Sequence, residues 1–235
     1  MKGVNDMTKR TLVSRVLLPV LVAVGAMAPS VAAPFSYARI YIEYNASAND
    51  LGFHVTMDGP NWKTFNIVNP NGVKVFEVVG KAAYAELGMT ELFFEGAEPN
   101  LDEFPLDRLL AKFPEGPYKF TGIAIGGTQL KSVAQLSHAI PDGPEVSADV
   151  NGDEVVIRWQ PVTRPPDGFP NKQIDIAGYQ VIVESFQVTL PASATEVEVP
   201  EEYVRSLPRG EIPFEVLAIE RSGNQTLTEG TFELD

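Results

Sequence analysis

Cysteine is absent from this 235-residue chain, and histidine occurs only twice. The first absence removes disulfides and thiolate chemistry, so any core must hold by packing alone. The second leaves little from which to build a Ser-His relay or the nitrogen and sulfur sets that zinc and copper usually take. The G-x-S-x-G elbow, the H-E-x-x-H pair, the G-x-x-x-x-G-K-[ST] loop and the dinucleotide fingerprint are missing too. Cations are scarce: 18 Lys and Arg stand against 31 Asp and Glu, a formal net charge of −13. That balance opposes nucleic acid and anionic lipid surfaces as partners. No period of 20 to 50 residues repeats, which argues against a solenoid.

What is present begins with a distinct leader. Lys2, Lys9, Arg10 and Arg15 precede an apolar run from Val16 to Ala28, followed by Pro29 and the short residues Ser30, Val31, Ala32 and Ala33. Basic, apolar and short-residue segments in that order read as a secretory signal peptide. The run is shorter than the roughly twenty residues that a membrane crossing needs. Residues 1–32 are therefore expected to be cleaved, with Ala33 as the mature start and no membrane span thereafter. Four cations and Asp6 leave with the leader, moving the formal charge from −13 to −16. The expected location is secreted, periplasmic or elsewhere in the cell envelope.

After Ala33 short runs of β-branched and aromatic residues alternate with turn residues. "ARIYIEY", "LGFHVTM", "KTFNIV", "VKVFEVV", "ELFFEG", "YKFTGIAI" and "QLKSVAQLSHA" predict seven strands before residue 140. Asn69-Pro70-Asn71-Gly72 and Gly126-Gly127 supply tight hairpin turns. One helix interrupts the series, since Leu106, Leu109, Leu110 and Phe113 keep helical spacing between Pro105 and Pro114. Its apolar face is expected to cover a sheet, with a ligand groove beneath it as the less common outcome. Residues 33–140 thus predict a β-sandwich with one short helix, Ig-like or jelly-roll-like in topology.

A Pro, Asp and Gly cluster in "HAIPDGPEV", residues 138–146, marks the boundary with a second strand series. "VVIRWQPV", "IDIAGYQVIVE" and "LPRGEIPFEVLAIERSGNQT" place Trp159, Tyr179, Leu207, Gly210 and Ala218 in an order that resembles the fibronectin type III family. The resemblance covers residues 142–235 and implies a second sandwich with Trp159 buried. Two departures stand out. Ile212 occupies the place of the family's corner tyrosine, and the loop between Trp159 and Tyr179 is longer than usual. Tyr118, after the Pro-Glu-Gly-Pro turn of the first region, is expected to supply such a corner there. Through "IYIEYNAS", "ELFFEGAEP" and "FEVLAIERSGNQT" the whole chain is similar to bacterial secreted proteins that pair such a domain with an N-terminal β-rich one. That likeness implies export and two sandwiches and brings no activity with it. The fold class expected is all-β, with two β-sandwich domains.

The most concentrated polar segment is residues 43–62, "EYNASANDLGFHVTMDGPNW". Asn45, Ser47, Asn49 and Asp50 are expected to form a polar turn, because Asn and Asp tolerate turn geometry and cap their own backbone. Glu43, Asn45, Asn49 and Asp50 are also the set from which calcium, which takes six to eight oxygens, would be held. Asp58 and Trp62 flank a second turn signal, where an exposed ring would stack on sugar; a Trp entering a strand more often joins a core. Glu91, Glu95, Glu98, Asp102, Glu103 and Asp107 form an acidic stretch that reads as solvated surface. A glycoside hydrolase would need only two carboxylates from it. His54 and His138 are expected to be satisfied strand and loop residues.

The function expected is that of an exported, non-enzymatic binding or structural module, mediating protein contacts or adhesion through its loops. No cofactor is expected, and calcium is the alternative to that reading. The alternative is a carbohydrate-binding accessory module or weak hydrolase.

Overall fold

The computed structural model describes residues 32–235, and the leader lies outside the described residues. Alternating apolar residues set the first strands. β1 (Tyr37–Asn45) turns back on β2 (Asp50–Val68), followed by β3 (Lys74–Val79), helix α1 (Ala83–Leu87), β4 (Met89–Glu95), helix α2 (Leu106–Lys112), β5 (Gly116–Ala124) and β6 (Gln129–Leu136). The second series comprises β7 (Val146–Asn151), β8 (Glu154–Trp159), β9 (Ile176–Val183), β10 (Phe186–Pro191), β11 (Glu196–Val199), helix α3 (Glu201–Val204), β12 (Gly210–Glu220) and β13 (Gln225–Leu234). The all-β sandwich class expected from the sequence is the class found. The short helices α1 and α3 were not expected.

The segments "LGFHVTM" and "KTFNIV" are not two strands joined by a turn. They are one strand, β2, of 19 residues. Its pairing with β4 skips from Asp58 to Trp62, so Gly59, Pro60 and Asn61 bulge out of the ladder. Pro60 has no N–H to donate, and a side chain on Gly59 would meet the Phe35 ring at 2.7 Å, so these residues bend the strand without ending it. The first half of β2 pairs with β1 and β4, and the second half with β3 and β5. One strand thereby feeds both layers around a core that includes Trp62, Phe65, Phe120 and Leu130.

In the second series β11, β8 and β7 make a three-stranded sheet that faces the run β10, β9, β12 and β13. Trp159 and Tyr179 meet in its core with ring centroids 5.4 Å apart, as the fibronectin type III resemblance implies. Gly210 opens β12 at φ +116°, a conformation that side chains resist, and Leu207 and Ala218 pack against the same core. Ile212 is buried where the corner tyrosine would stand. A different tie serves instead. The Tyr203 hydroxyl accepts from the N–H groups of Ser185 and Phe186 and donates to the Val183 carbonyl.

The two cores share one sheet. β13 pairs in parallel with β1, matching Glu43 to Gln225 and Asn45 to Leu227, and the described residues form one compact unit. Asn224, 1% exposed, accepts from the Ile42 N–H and donates to the carbonyls of Ser137 and Ala139. The long loop between β8 and β9 crosses the same seam. Its Phe169 packs on the first core, 4.8 Å from the Tyr44 ring.

Lys172 of that loop pairs with Glu115 at 2.8 Å, and Glu115 also accepts the His138 N–H. Burial alone would raise the Glu115 pKa, but the Lys172 and His138 hydrogen bonds outweigh it and hold the carboxyl below its usual 4.5. A depressed folded value means that the stabilisation is complete above the unfolded pKa and lost as pH falls through the folded one. Because the pair is part-exposed, Glu115→Gln is expected to cost under about 1 kcal/mol at pH 7 and nothing in strong acid. Denaturant midpoints of the two proteins across pH 3–7 check this, and a difference that persists in acid would contradict it.

Candidate functional site

A cavity of about 450 Å³ lies between the layers where β3 and β4 are edge strands. Its floor is Ile40, Phe53, Val55 and Ile67, and its walls are Phe76 and Phe94, which stack at 4.1 Å. Helix α2 covers it with Leu109, while Phe104 and Phe113 complete the rim. Phe113, just past the helix, stacks on Phe53 at 3.8 Å and fixes the cover to β2. The helix that the Leu106 to Phe113 spacing predicts is therefore present and stands over a groove. Lys112 is the one ionisable side chain in the lining, and Arg108 and Lys112 both sit by the Phe104 ring. Val75 beside the mouth is 41% exposed, and Val73, Val79 and Phe93 add apolar surface along the same edge strands.

The polar segment after β1 is a closed turn. Asn45 accepts from the N–H groups of Ser47 and Ala48 and donates to Glu229, while Ser47 accepts the Glu229 N–H. Asn49 takes positive φ, accepts from Tyr44 and donates to Asp102. Asp50 bridges to Asn100 in a backbone pair, and burial followed by the Glu229 charge raises its pKa. The Asn45, Ser47 and Asn49 side chains are committed to these bonds, as a polar turn requires, and Glu43 turns toward His54.

Burial decides two further readings. Asp58 is exposed and paired in register with Tyr37 and Glu91, while Trp62 is fully buried against Phe65, so no sugar platform exists there. Tyr118 is buried with its hydroxyl unpartnered, and burial pushes its pKa up to about 12; it forms no corner.

His54 is the residue that sequence patterning misjudged. It is 4% exposed, and neither ring nitrogen has a hydrogen-bond partner. His138, by contrast, reaches the Phe113 carbonyl at 2.8 Å. The Nε2 atom of His54 lies 3.8 Å from Glu43 Oε1 and 3.7 Å from Glu98 Oε1. Of the acidic stretch from Glu91 to Asp107, Glu95 and Glu98 come together. Burial, then the charge and hydrogen bond of Glu95, then Glu43 and Asp50 push Glu98 up to about 7.

No family model and no curated protein matches the chain. Among solved structures, the spore cortex lytic enzyme SleM of Clostridium perfringens is 24% identical over 40% of this chain and 28% of its own length, with a TM-score of 0.32. The fibronectin(III)-like modules of Clostridium thermocellum CbhA match at 10% identity over 89% of this chain and 92% of theirs, with a TM-score of 0.30. The 47-kilodalton lipoprotein Tp47 of Treponema pallidum matches at 9% identity over 87% of this chain and 52% of its own, with a TM-score of 0.32. The class defined by the fold is a two-core β-sandwich protein.

Proposed function

We propose that this chain is an exported, non-enzymatic binding module of the cell envelope or extracellular space, and that its ligand is a single acyl chain seated in the cavity beneath α2. The observation that carries the proposal is the cavity itself. Thirteen of its fourteen lining residues have no ionisable side chain, and its volume falls within the range of small-molecule sites. Burying an acyl chain there would release water from apolar surface at about 25 cal/mol per Å². Lys112 at the rim supplies a counter-charge for a carboxylate head group left at the mouth.

Displacement of a fluorescent fatty acid by unlabelled fatty acid and by the fatty alcohol of equal length tests this. Both are expected to bind saturably, the acid more tightly. Leu109→Trp, which fills the cavity, is expected to raise Kd more than tenfold, about 1.4 kcal/mol. Lys112→Ala should weaken the acid and leave the alcohol unchanged. Absence of saturable binding by either compound would contradict the proposal.

A second reading, protein contact, is favoured by the apolar edge strands. Among the described residues β3 and β4 each pair with β2 alone, and Val73, Val75, Val79 and Phe93 are exposed along those strands. Such an edge suits an added strand from a partner.

A further inference from the structure

Side chains alternate along β2, so Phe53 and Val55 enter the cavity while His54 stands on the opposite face of the same sheet. That outer face would ordinarily be solvated, yet His54 is nine-tenths buried. Tyr41 stacks on the ring at 4.9 Å, Phe93 lies at 6.0 Å, and Glu43 and Glu98 complete the enclosure. An imidazole sealed in this way needs partners, because unpaired buried polar atoms cost about 1–3 kcal/mol each. Nothing among the described residues hydrogen-bonds to it.

We propose that Glu43, His54 and Glu98 hold a divalent first-row transition cation of the Zn²⁺ type on this outer face. One ligand atom from each residue lies within 4.8 Å of the others. The separations of 3.7 and 3.8 Å from His54 Nε2 are too long for hydrogen bonds. They are close to the roughly 3.4 Å between neighbouring ligands of a tetrahedral ion with bonds of about 2.1 Å. A few tenths of an ångström of adjustment closes the difference for both His54 separations, and the two carboxylates, within 4.8 Å of each other, close on the ion by side-chain rotation. Two carboxylates and a neutral imidazole offset the charge of a divalent ion, and the imidazole favours a transition cation over calcium. The site is three-coordinate from the protein, which leaves a fourth position for water or a ligand.

Two features support the arrangement from outside the ligand set. The Gln225 amide donates to Glu43 Oε2 across the β1–β13 pairing, leaving Oε1 turned to His54. Such outer partners orient metal ligands and are worth about 10–100-fold in affinity. Gly52, two residues before His54, has no side chain, and a Cβ there would meet Glu98 Cγ and Oε1 at 2.7 Å. The glycine makes the room in which Glu98 approaches His54. Sequence patterning could not find this set, because its members come from β1, β2 and the segment after β4.

Zn²⁺ titration of the chelator-treated full chain by calorimetry, with Co²⁺ absorption as a second probe, tests the proposal. One equivalent is expected per chain, with Zn²⁺ bound far more tightly than Ca²⁺. Glu98→Gln, a change at a part-exposed side chain that leaves the fold intact, is expected to weaken Zn²⁺ by more than about tenfold. Gly52→Ala keeps all three ligands and is expected to weaken Zn²⁺ by displacing Glu98. His54→Asn should abolish the Co²⁺ spectrum at unchanged secondary structure. Absence of saturable Zn²⁺ binding, equal affinity for Ca²⁺ and Zn²⁺, or undiminished binding by Glu98→Gln overturns the proposal.

Discussion

Replacing Asn224 by alanine is expected to destabilise the protein by about 3–5 kcal/mol, a fall in melting midpoint of roughly 10 °C for a chain of this length. The side chain makes three hydrogen bonds at the seam, and its removal leaves the Ile42 N–H and the carbonyls of Ser137 and Ala139 without them. Asn224→Asp should be no milder. It keeps an acceptor for Ile42 but loses both donated bonds and sets a charge beside two carbonyl oxygens. Asn45, the other asparagine in an N-x-[ST] pattern, gives the contrast. Its bonds lie at an exposed turn, and Asn45→Ala is expected to cost about 1 kcal/mol. Because a single sheet runs through the seam, unfolding should remain one transition in the wild type. Chemical denaturation followed by far-ultraviolet dichroism and by tryptophan fluorescence checks both points. Equal small costs for Asn224→Ala and Asn45→Ala would show that the seam carries no stability.

Trp62→Ala is expected to cost about 3–5 kcal/mol, the range for removing a large aromatic side chain from a packed core. Trp62 is enclosed at the bend of β2, where it pairs in register with Met89 on one side and Ala124 on the other. Its indole N–H has no hydrogen-bond partner, so Trp62→Phe loses volume but no polar contact. The phenylalanine variant is therefore expected to recover most of the loss. Equal costs for the two substitutions would indicate that the indole N–H is bonded after all. Any loss of ligand binding in Trp62→Ala would report unfolding, because the ring meets no solvent.

Much of the architecture was legible because strands announce themselves locally. The alternation in "ARIYIEY" gives β1, and the Asn69 to Gly72 turn forms as its residues dictate. Asn69 caps the N–H groups of Asn71 and Val73, and Gly72 takes φ +80°. The same local rules misread Asp58-Gly59-Pro60-Asn61. Those residue types fit a turn and a bulge equally well, and only the pairing with β4 and β5 decides for the bulge. Tyr118 and Tyr203 show the same limit. Whether a hydroxyl finds a partner depends on which backbone groups lie opposite it, and tertiary packing alone sets that. The helix over the cavity was visible in its leucine spacing, whereas the depth of the space beneath it depends on how far the two edge strands stand apart. His54 was read as an ordinary strand residue because its neighbours Glu43 and Glu98 are remote in sequence.

Methyl-resolved NMR tests most directly whether the cavity under α2 receives an acyl chain. On titration with a fatty acid, the methyl signals of Ile40, Val55, Ile67 and Leu109 are predicted to shift together and saturate, while those of the second core, such as Val181 and Val216, stay in place. Saturating shifts confined to Val73 and Val79 on the outer edge, or none at all, would contradict the claim.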